Sequence, residues 1–218
     1  MIQRTRRVLG KLGEDKGFTL VEMALVLIII GIIIGAIVKG KDLVRSAEQK
    51  RVYSKFLNEW RLTYLNFYDR TGKVLGDTYS TVAPAGPGQD GFADTAGGDA
   101  TSGDSPAELV TSTTPASWLG LTQVGLNAPV TNVPNTSYQY RYVDSQGNSH
   151  VMGVTFLYSG TYNYMAITAM PNELAMAIDT MVDGEANGNN GDFLNGAGAA
   201  WGTTPTTNVV EVRWIMNF

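Results

Sequence analysis

The fold of this chain is decided by Gly-Phe-Thr-Leu-Val-Glu (Gly17–Glu22) and by the apolar run that follows, Met23-Ala-Leu-Val-Leu-Ile-Ile-Ile-Gly-Ile-Ile-Ile-Gly-Ala-Ile-Val38. The 21 residues from Phe18 to Val38 include one charged side chain, Glu22. An α-helix of about 20 residues crosses the roughly 30 Å apolar core of a bilayer. The stretch therefore predicts a membrane-spanning helix. A carboxylate inside such a span is costly, which indicates that Glu22 has a partner.

A basic leader precedes the apolar run. Residues 1–17 carry Arg4, Arg6, Arg7, Lys11 and Lys16 against Glu14 and Asp15. This positive excess predicts that the leader stays cytoplasmic and that the rest of the chain lies across the membrane. In a secretory signal peptide the cut site follows the apolar region, whereas here Gly17 precedes it. A cut after Gly17 would make Phe18 the new N-terminus, and its amine could pair with Glu22 of a neighbouring subunit.

These features together resemble the N-terminal signature of type IV prepilins and of type II secretion pseudopilins. The resemblance covers about a tenth of the 218-residue chain. It implies cleavage after Gly17 by a prepilin peptidase, N-methylation of Phe18, and assembly into a helical filament in which Glu22 drives subunit docking. The alternative interpretation of the motif is an ordinary N-terminal membrane anchor that carries a chance glutamate.

The resemblance also implies partners and a location. The partners are copies of the chain and other pilins, the prepilin peptidase and an inner-membrane assembly platform. The precursor lies in the inner membrane, and the assembled protein lies in an extracellular pilus. The alternative within the family is a pseudopilin of a type II secretion system, in a periplasmic pseudopilus. An alternative of another class is a membrane-anchored periplasmic enzyme or binding protein.

Charge divides the remaining chain into a basic and an acidic part. Between Lys39 and Lys73 nine basic residues stand against four acidic ones, whereas after Lys73 only Arg141 and Arg213 stand against 13 acidic residues. We expect no nucleic-acid partner, because phosphate contacts supply most non-specific affinity and need basic side chains. The basic part can pair with acidic faces of neighbouring subunits or with anionic headgroups. Solvated helix charges are the simpler interpretation.

Apolar residues recur at three- and four-residue intervals beyond the membrane run: Leu43, Val44, Ala47, Tyr53, Phe56, Leu57, Trp60, Tyr64 and Phe67. This spacing predicts one continuous helix from about Phe18 to Tyr68, ending before Gly72. The predicted parts are a leader at 1–17, a transmembrane or filament-core half-helix at 18–38, an amphipathic half-helix at 39–70, and a β-rich head at 71–218 with a loop insertion at 81–114.

Alternating residues predict strands in the head at Ser137–Val143, His150–Tyr158, Tyr162–Thr168 and Asn208–Phe218. Pro171–Val182 predicts a short helix. The fold class is therefore α+β, with a long N-terminal helix packed against an antiparallel β-sheet, which is the pilin fold that the resemblance implies. The chain contains no cysteine, so a disulfide cannot close the C-terminal region.

Catalytic motifs are absent from the sequence. His150 is the one histidine, and no G-x-S-x-G context supports a nucleophilic serine. We therefore predict that the protein is not an enzyme and that His150 is a strand-edge residue. No cofactor is required by the sequence.

One acidic stretch resembles a site for a hard cation. Its oxygen-bearing residues are Asp179, Asp183, Glu185, Asn187 and Asp192, with glycines between them. Such spacing suits calcium. The stretch is no EF-hand, because Leu194 stands where the twelfth-position glutamate is required. Major pseudopilins bind calcium near their C-terminal loops, so the resemblance implies the same here. The alternative interpretation is a solvated polar loop.

Overall fold

The computed structural model describes residues 17–76, Ala93, 120–203 and 208–217. The predicted leader at 1–17, apart from Gly17, and the predicted insertion at 81–114, apart from Ala93, lie outside the described residues. The chain forms two compact units, Met1–Val44 and Arg45–Phe218.

The N-terminal helix has three segments. They are α1 (Leu20–Val52), a π-helical turn (Tyr53–Leu57) and α2 (Asn58–Thr71). The predicted continuous helix is therefore present, with a wider turn that its periodicity does not reveal. Because π-helical hydrogen bonds span five residues, the turn accommodates Phe56 and Leu57, which are adjacent in sequence and both fully buried.

The helix ends where the sequence predicts. Gly72 has a left-handed backbone (φ +66°), and its N–H donates to the Tyr68 carbonyl at 2.7 Å. The Thr71 hydroxyl donates to the Phe67 carbonyl, also at 2.7 Å. These bonds satisfy carbonyls that the helix end leaves open.

The head contains a five-stranded antiparallel sheet. Its strands are β1 (Gln139–Val143), β2 (Ser149–Tyr158), β3 (Asn163–Pro171), β4 (Phe193–Asn195) and β5 (Asn208–Ile215), in the order β1-β2-β3-β5-β4. Helix α3 (Asn172–Val182) follows β3. The short β4 was not predicted, since three residues between Gly- and Asn-rich turns carry no alternating pattern.

The core lies between the helix and one face of the sheet. The Phe156 ring on β2 sits beside Trp60 and Tyr64, with ring centroids 6.1 Å and 4.7 Å away. Phe56 meets Tyr140 of β1 at 5.0 Å. All of these side chains are buried. The predicted α+β fold, a helix packed on an antiparallel sheet, is confirmed.

The buried stripe of the helix is shorter than its periodicity predicts. Leu43 and Val44 are 72% and 70% exposed, and Ala47 is exposed as well. The first buried residue of the helix is Val52. Periodicity shows which face of a helix is apolar but not how far a covering sheet extends along it.

Each edge strand of the sheet has one residue whose backbone is hydrogen-bonded to a neighbouring loop. The Asn132 side chain donates to the Arg141 carbonyl at 2.8 Å and accepts from its N–H at 2.7 Å, so one amide imitates a neighbouring strand along β1. At the other edge, the Asn195 N–H of β4 donates to the Gly188 carbonyl. These bonds disfavour edge-to-edge pairing with another chain at those two positions.

Candidate functional site

The first turn of α1 is held by reciprocal hydrogen bonds between Thr19 and Glu22. Thr19 Oγ1 accepts from the Glu22 backbone N–H at 3.2 Å. Glu22 Oε2 accepts from the Thr19 backbone N–H at 2.9 Å and from its hydroxyl at 3.0 Å. This is a capping box, which satisfies N–H groups that a helix start leaves open. The negative charge also lies at the favourable end of the helix dipole.

The capping box gives Glu22 a partner within its own chain. The partner predicted above was the Phe18 amine of a neighbouring subunit, and Thr19 is a partner that was not predicted. The signal was present, because Thr19-Leu-Val-Glu22 has the Ser/Thr-x-x-Glu spacing of a capping box. The bonds from Thr19 all go to Oε2, so Oε1 is the oxygen available to a neighbour's amine.

The predicted cut site lies just before the helix. Gly17, Phe18 and Thr19 precede the first helical residue, Leu20, and all three are exposed. The Phe18 side chain is 79% exposed. The peptide bond between Gly17 and Phe18 is thus exposed and outside the helix, as is typical of sites that peptidases cut.

The helix that follows is apolar on every side. The consecutive residues Ile32, Ile33 and Ile34 point in three different directions around the axis and are 67%, 52% and 56% exposed. In the described part of the chain, Leu20–Thr71 is the one helix long and apolar enough to cross a membrane, judged by length and composition. A helix that is apolar all round is stable in lipid or among other apolar helices.

Asp179, the first residue of the predicted cation site, is fully buried at the end of α3. Its Oδ2 accepts from the Trp201 indole N–H at 2.6 Å and from the backbone N–H groups of Asn187 and Gly188. Its Oδ1 is buried without a hydrogen-bond partner among the described residues. Burial raises the pKa of this carboxyl, the three donors partly offset the rise, and the neighbouring Asp183 carboxyl adds to it.

The other predicted ligands bind different parts of the same loop. Asp183 accepts from the backbone N–H groups of Asp192 and Phe193. Gly191 (φ +100°) permits this approach, because a Cβ there would collide with the Asp183 carboxylate. Glu185 accepts from the Asn187 side chain at 2.7 Å. The carboxylates thus hold the loop backbone in place.

No group of three or more His, Cys, Asp or Glu side chains comes together as a metal centre among residues 17–76, 93, 120–203 and 208–217. Asp179 and Asp183 lie close to each other, whereas Glu185 and Asp192 are exposed. The arrangement of these carboxylates therefore gives no support for a calcium site beyond the sequence pattern. The calcium site stays a prediction.

His150 forms a side-chain contact with Asp144 that its sequence position does not reveal. Its Nε2 lies 2.8 Å from Asp144 Oδ2, at the turn between β1 and β2. Asp144 also accepts from the backbone N–H groups of Gln146 and Asn148. Burial opposes ionisation of Asp144, but the bonds from His150, Asn148 and Gln146 outweigh it and hold the pKa of the carboxyl well below its usual range. This arrangement holds a tight turn.

A comparison with protein families matches residues 14–38 to the prokaryotic N-terminal methylation motif, the signature of type IV pilins and pseudopilins. The match covers the end of the leader, the cut site, Glu22 and the apolar run, and it confirms the resemblance of this stretch. A search of curated proteins and a search of solved structures return no match.

Proposed function

We propose that the protein is a structural subunit of a type IV pilus-like filament. The observation that carries this proposal is the exposed helical stretch Leu20–Val38, which is apolar apart from Glu22 in its first turn and lies within the methylation motif. Such a helix needs lipid before assembly and neighbouring helices after it.

Assembly follows from the chemistry of the helix start. A prepilin peptidase cuts after Gly17 and leaves the apolar helix on the mature chain. The cationic amine of Phe18 then pairs with Glu22 of the next subunit, and Thr19 keeps that carboxylate in place. Each charge needs the other, because the surroundings are apolar. The apolar helices bundle in the filament core, and an inner-membrane assembly platform and other pilins are the further partners.

The second candidate is a pseudopilin of a type II secretion system, which forms a short periplasmic filament. The head without a disulfide and the acidic stretch Asp179–Asp192 favour it. The long insertion at 81–114 favours a surface-displayed pilin instead. A membrane-anchored enzyme or binding protein remains a third candidate, and it requires an uncleaved anchor.

Replacing Glu22 tests the proposal. We expect Glu22→Ala, expressed in place of the native copy, to reach the membrane but to yield few or no fibres. Asp42→Ala is the matched control, since it removes an exposed carboxylate of the same helix outside Phe18–Val38. Sheared fibres counted by electron microscopy give the readout. Normal fibre numbers from Glu22→Ala would contradict the proposed mode of assembly.

A further inference from the structure

A groove runs between the helix and the β1 edge of the sheet. Its volume is about 470 Å³. Arg51, Lys55, Glu59 and Thr63 line one wall at four-residue spacing, the loop Asn127–Asn132 lines the other, and Tyr140 of β1 contributes to the lining. We call this the helix groove. Its size is that of a site for a peptide loop or a small ligand.

The helix groove contains groups that the described part of the head does not satisfy. Lys55 is exposed and makes no ion pair with the described carboxylates, whereas Arg51 pairs with Glu48 at 3.3 Å. The Tyr140 hydroxyl is buried with no hydrogen-bond partner among the described residues. Val130 is 86% exposed at the rim. A cation, a buried hydroxyl and an exposed apolar side chain together suit an acidic polypeptide loop.

Such a loop exists on the same head. Five of the described acidic residues after Lys73 already have hydrogen-bond or ion-pair partners. The partners are His150 for Asp144, Tyr142 for Glu173, Trp201 for Asp179, the backbone of Asp192 and Phe193 for Asp183, and Arg213 for Glu211. The other two, Glu185 and Asp192, are exposed, accept from the side chains of Asn187 and Asn217, and pair with no described basic residue. We call the segment Asp183–Asp192 the acidic loop.

The acidic loop and the helix groove lie at opposite edges of one sheet. The groove borders β1, the first strand in the sheet order, and the acidic loop leads directly into β4, the last. Two different surfaces at opposite edges can join one copy to the next but cannot pair symmetrically. Contacts of this head-to-tail type build open helical filaments when the rotation between copies does not close a ring.

We propose that the helix groove of one subunit binds the acidic loop of a second copy of this chain. The carboxylates of Glu185 and Asp192 face Lys55, and the amides of the loop donate to Glu59. The loop covers Val130 and excludes water from the groove. This inference rests on the proposed function, because it describes how heads join within a filament whose core is made by the N-terminal helices.

Disulfide cross-linking in assembled fibres tests the contact, and the absence of native cysteines makes the result easy to read. Full-length chain carrying Lys55→Cys together with Glu185→Cys, or with Asp192→Cys, is assembled and oxidised. We expect a ladder of linked multimers on a non-reducing gel, because each copy contributes both halves of the contact. Each single variant should stay monomeric. Asn66→Cys with Glu185→Cys is the matched control, since Asn66 is exposed on the same helix outside the groove.

A charge exchange provides the second measurement. We expect Lys55→Glu to lower the yield of sheared fibres several-fold, and Lys55→Glu with Glu185→Lys to restore it. Fibres that form normally while the double-cysteine chains stay monomeric would overturn the docking inference alone. So would a Lys55→Cys disulfide to a different protein, or an unchanged yield from Lys55→Glu. Absence of fibres from the unaltered chain would overturn the proposed function as well.

Discussion

Individual side chains define the start of helix α1. Thr19 and Glu22 form a capping box, which holds in one position the carboxylate that the motif places inside an apolar segment. A fixed carboxylate loses less conformational entropy when it meets an amine. The Thr-x-x-Glu spacing makes this contact predictable from the sequence.

Asp179 illustrates what a sequence does not disclose at the residue scale. Its place near the end of a helix was predicted, and so was the acidic character of the loop behind it. Its full burial was not, nor was its bond with Trp201, 22 positions away. Local patterns carry no information about which distant residue covers a carboxylate.

The buried Asp179 carboxyl predicts a pH dependence of stability. Because its folded-state pKa is raised above 3.8, mainly by burial, stability should fall as pH rises from about 3.8 through the raised value. We expect Asp179→Asn to flatten this fall, since an amide keeps an acceptor for Trp201 without the charge. Thermal unfolding of the detergent-purified chain at several pH values measures the effect.

Two further variants control this prediction. Asp69→Asn, at an exposed site, should keep the pH profile of the unaltered chain. Asp179→Ala leaves buried donors without an acceptor and should cost about 2–4 kcal/mol at low pH, and the difference should shrink as pH rises through the raised pKa, because the variant also lacks the titrating carboxyl. A pH profile that Asp179→Asn leaves unchanged would contradict the assignment of the titrating group.

At the scale of elements, the helix and the longer strands were predictable, because each carries its own period of apolar residues. The π-helical turn and β4 were not. A π-helical turn of five residues is too short to show a period of its own, and a three-residue strand is identified by its pairing with β5. The hydrogen bond from the Asn132 side chain to the Arg141 carbonyl of β1 was not predictable either, because it depends on how the preceding loop packs against the sheet.

The ring of Phe156 on β2 stacks against Tyr64 of the helix, so removing it should strongly lower the stability of the fold. We expect Phe156→Ala to lower the free energy of unfolding by about 3–5 kcal/mol, because a large buried ring leaves a cavity. Val151→Ala is the control on the same strand, where 40% exposure predicts a change within about 0.5 kcal/mol. Chemical denaturation of both variants gives the comparison. If Phe156→Ala lowered the free energy of unfolding only slightly, the helix would not be packed against this strand.

The calcium site predicted in the loop after α3 can be tested by the effect of calcium on the melting temperature. If the loop binds calcium, a millimolar concentration should raise the melting temperature, and Asp183→Ala should abolish that rise. The comparison is made within each variant with and without calcium, because Asp183 also holds the backbone of Asp192 and Phe193. The absence of any rise in the unaltered chain would remove calcium from the account.

At the scale of the whole molecule, one chain combines an apolar helix with an acidic head, and one backbone position at each edge of its sheet is already hydrogen-bonded to a loop. These bonds disfavour strand addition at those two positions. The motif, the apolar helix and the division of charge can all be recognised in the sequence. The positions of the helix groove and the acidic loop at opposite sheet edges required the fold, because strand order cannot be read from the order of residues alone.

The most direct measurement is mass spectrometry of the N-terminal peptide of the chain recovered from sheared fibres. We predict a peptide that begins at Phe18 and carries an N-methyl group, and Gly17→Val should prevent both the cut and the appearance of the chain in fibres. A chain in fibres that still begins with Met1 would show that the apolar segment is an uncut anchor, and the account of a processed filament subunit would be wrong.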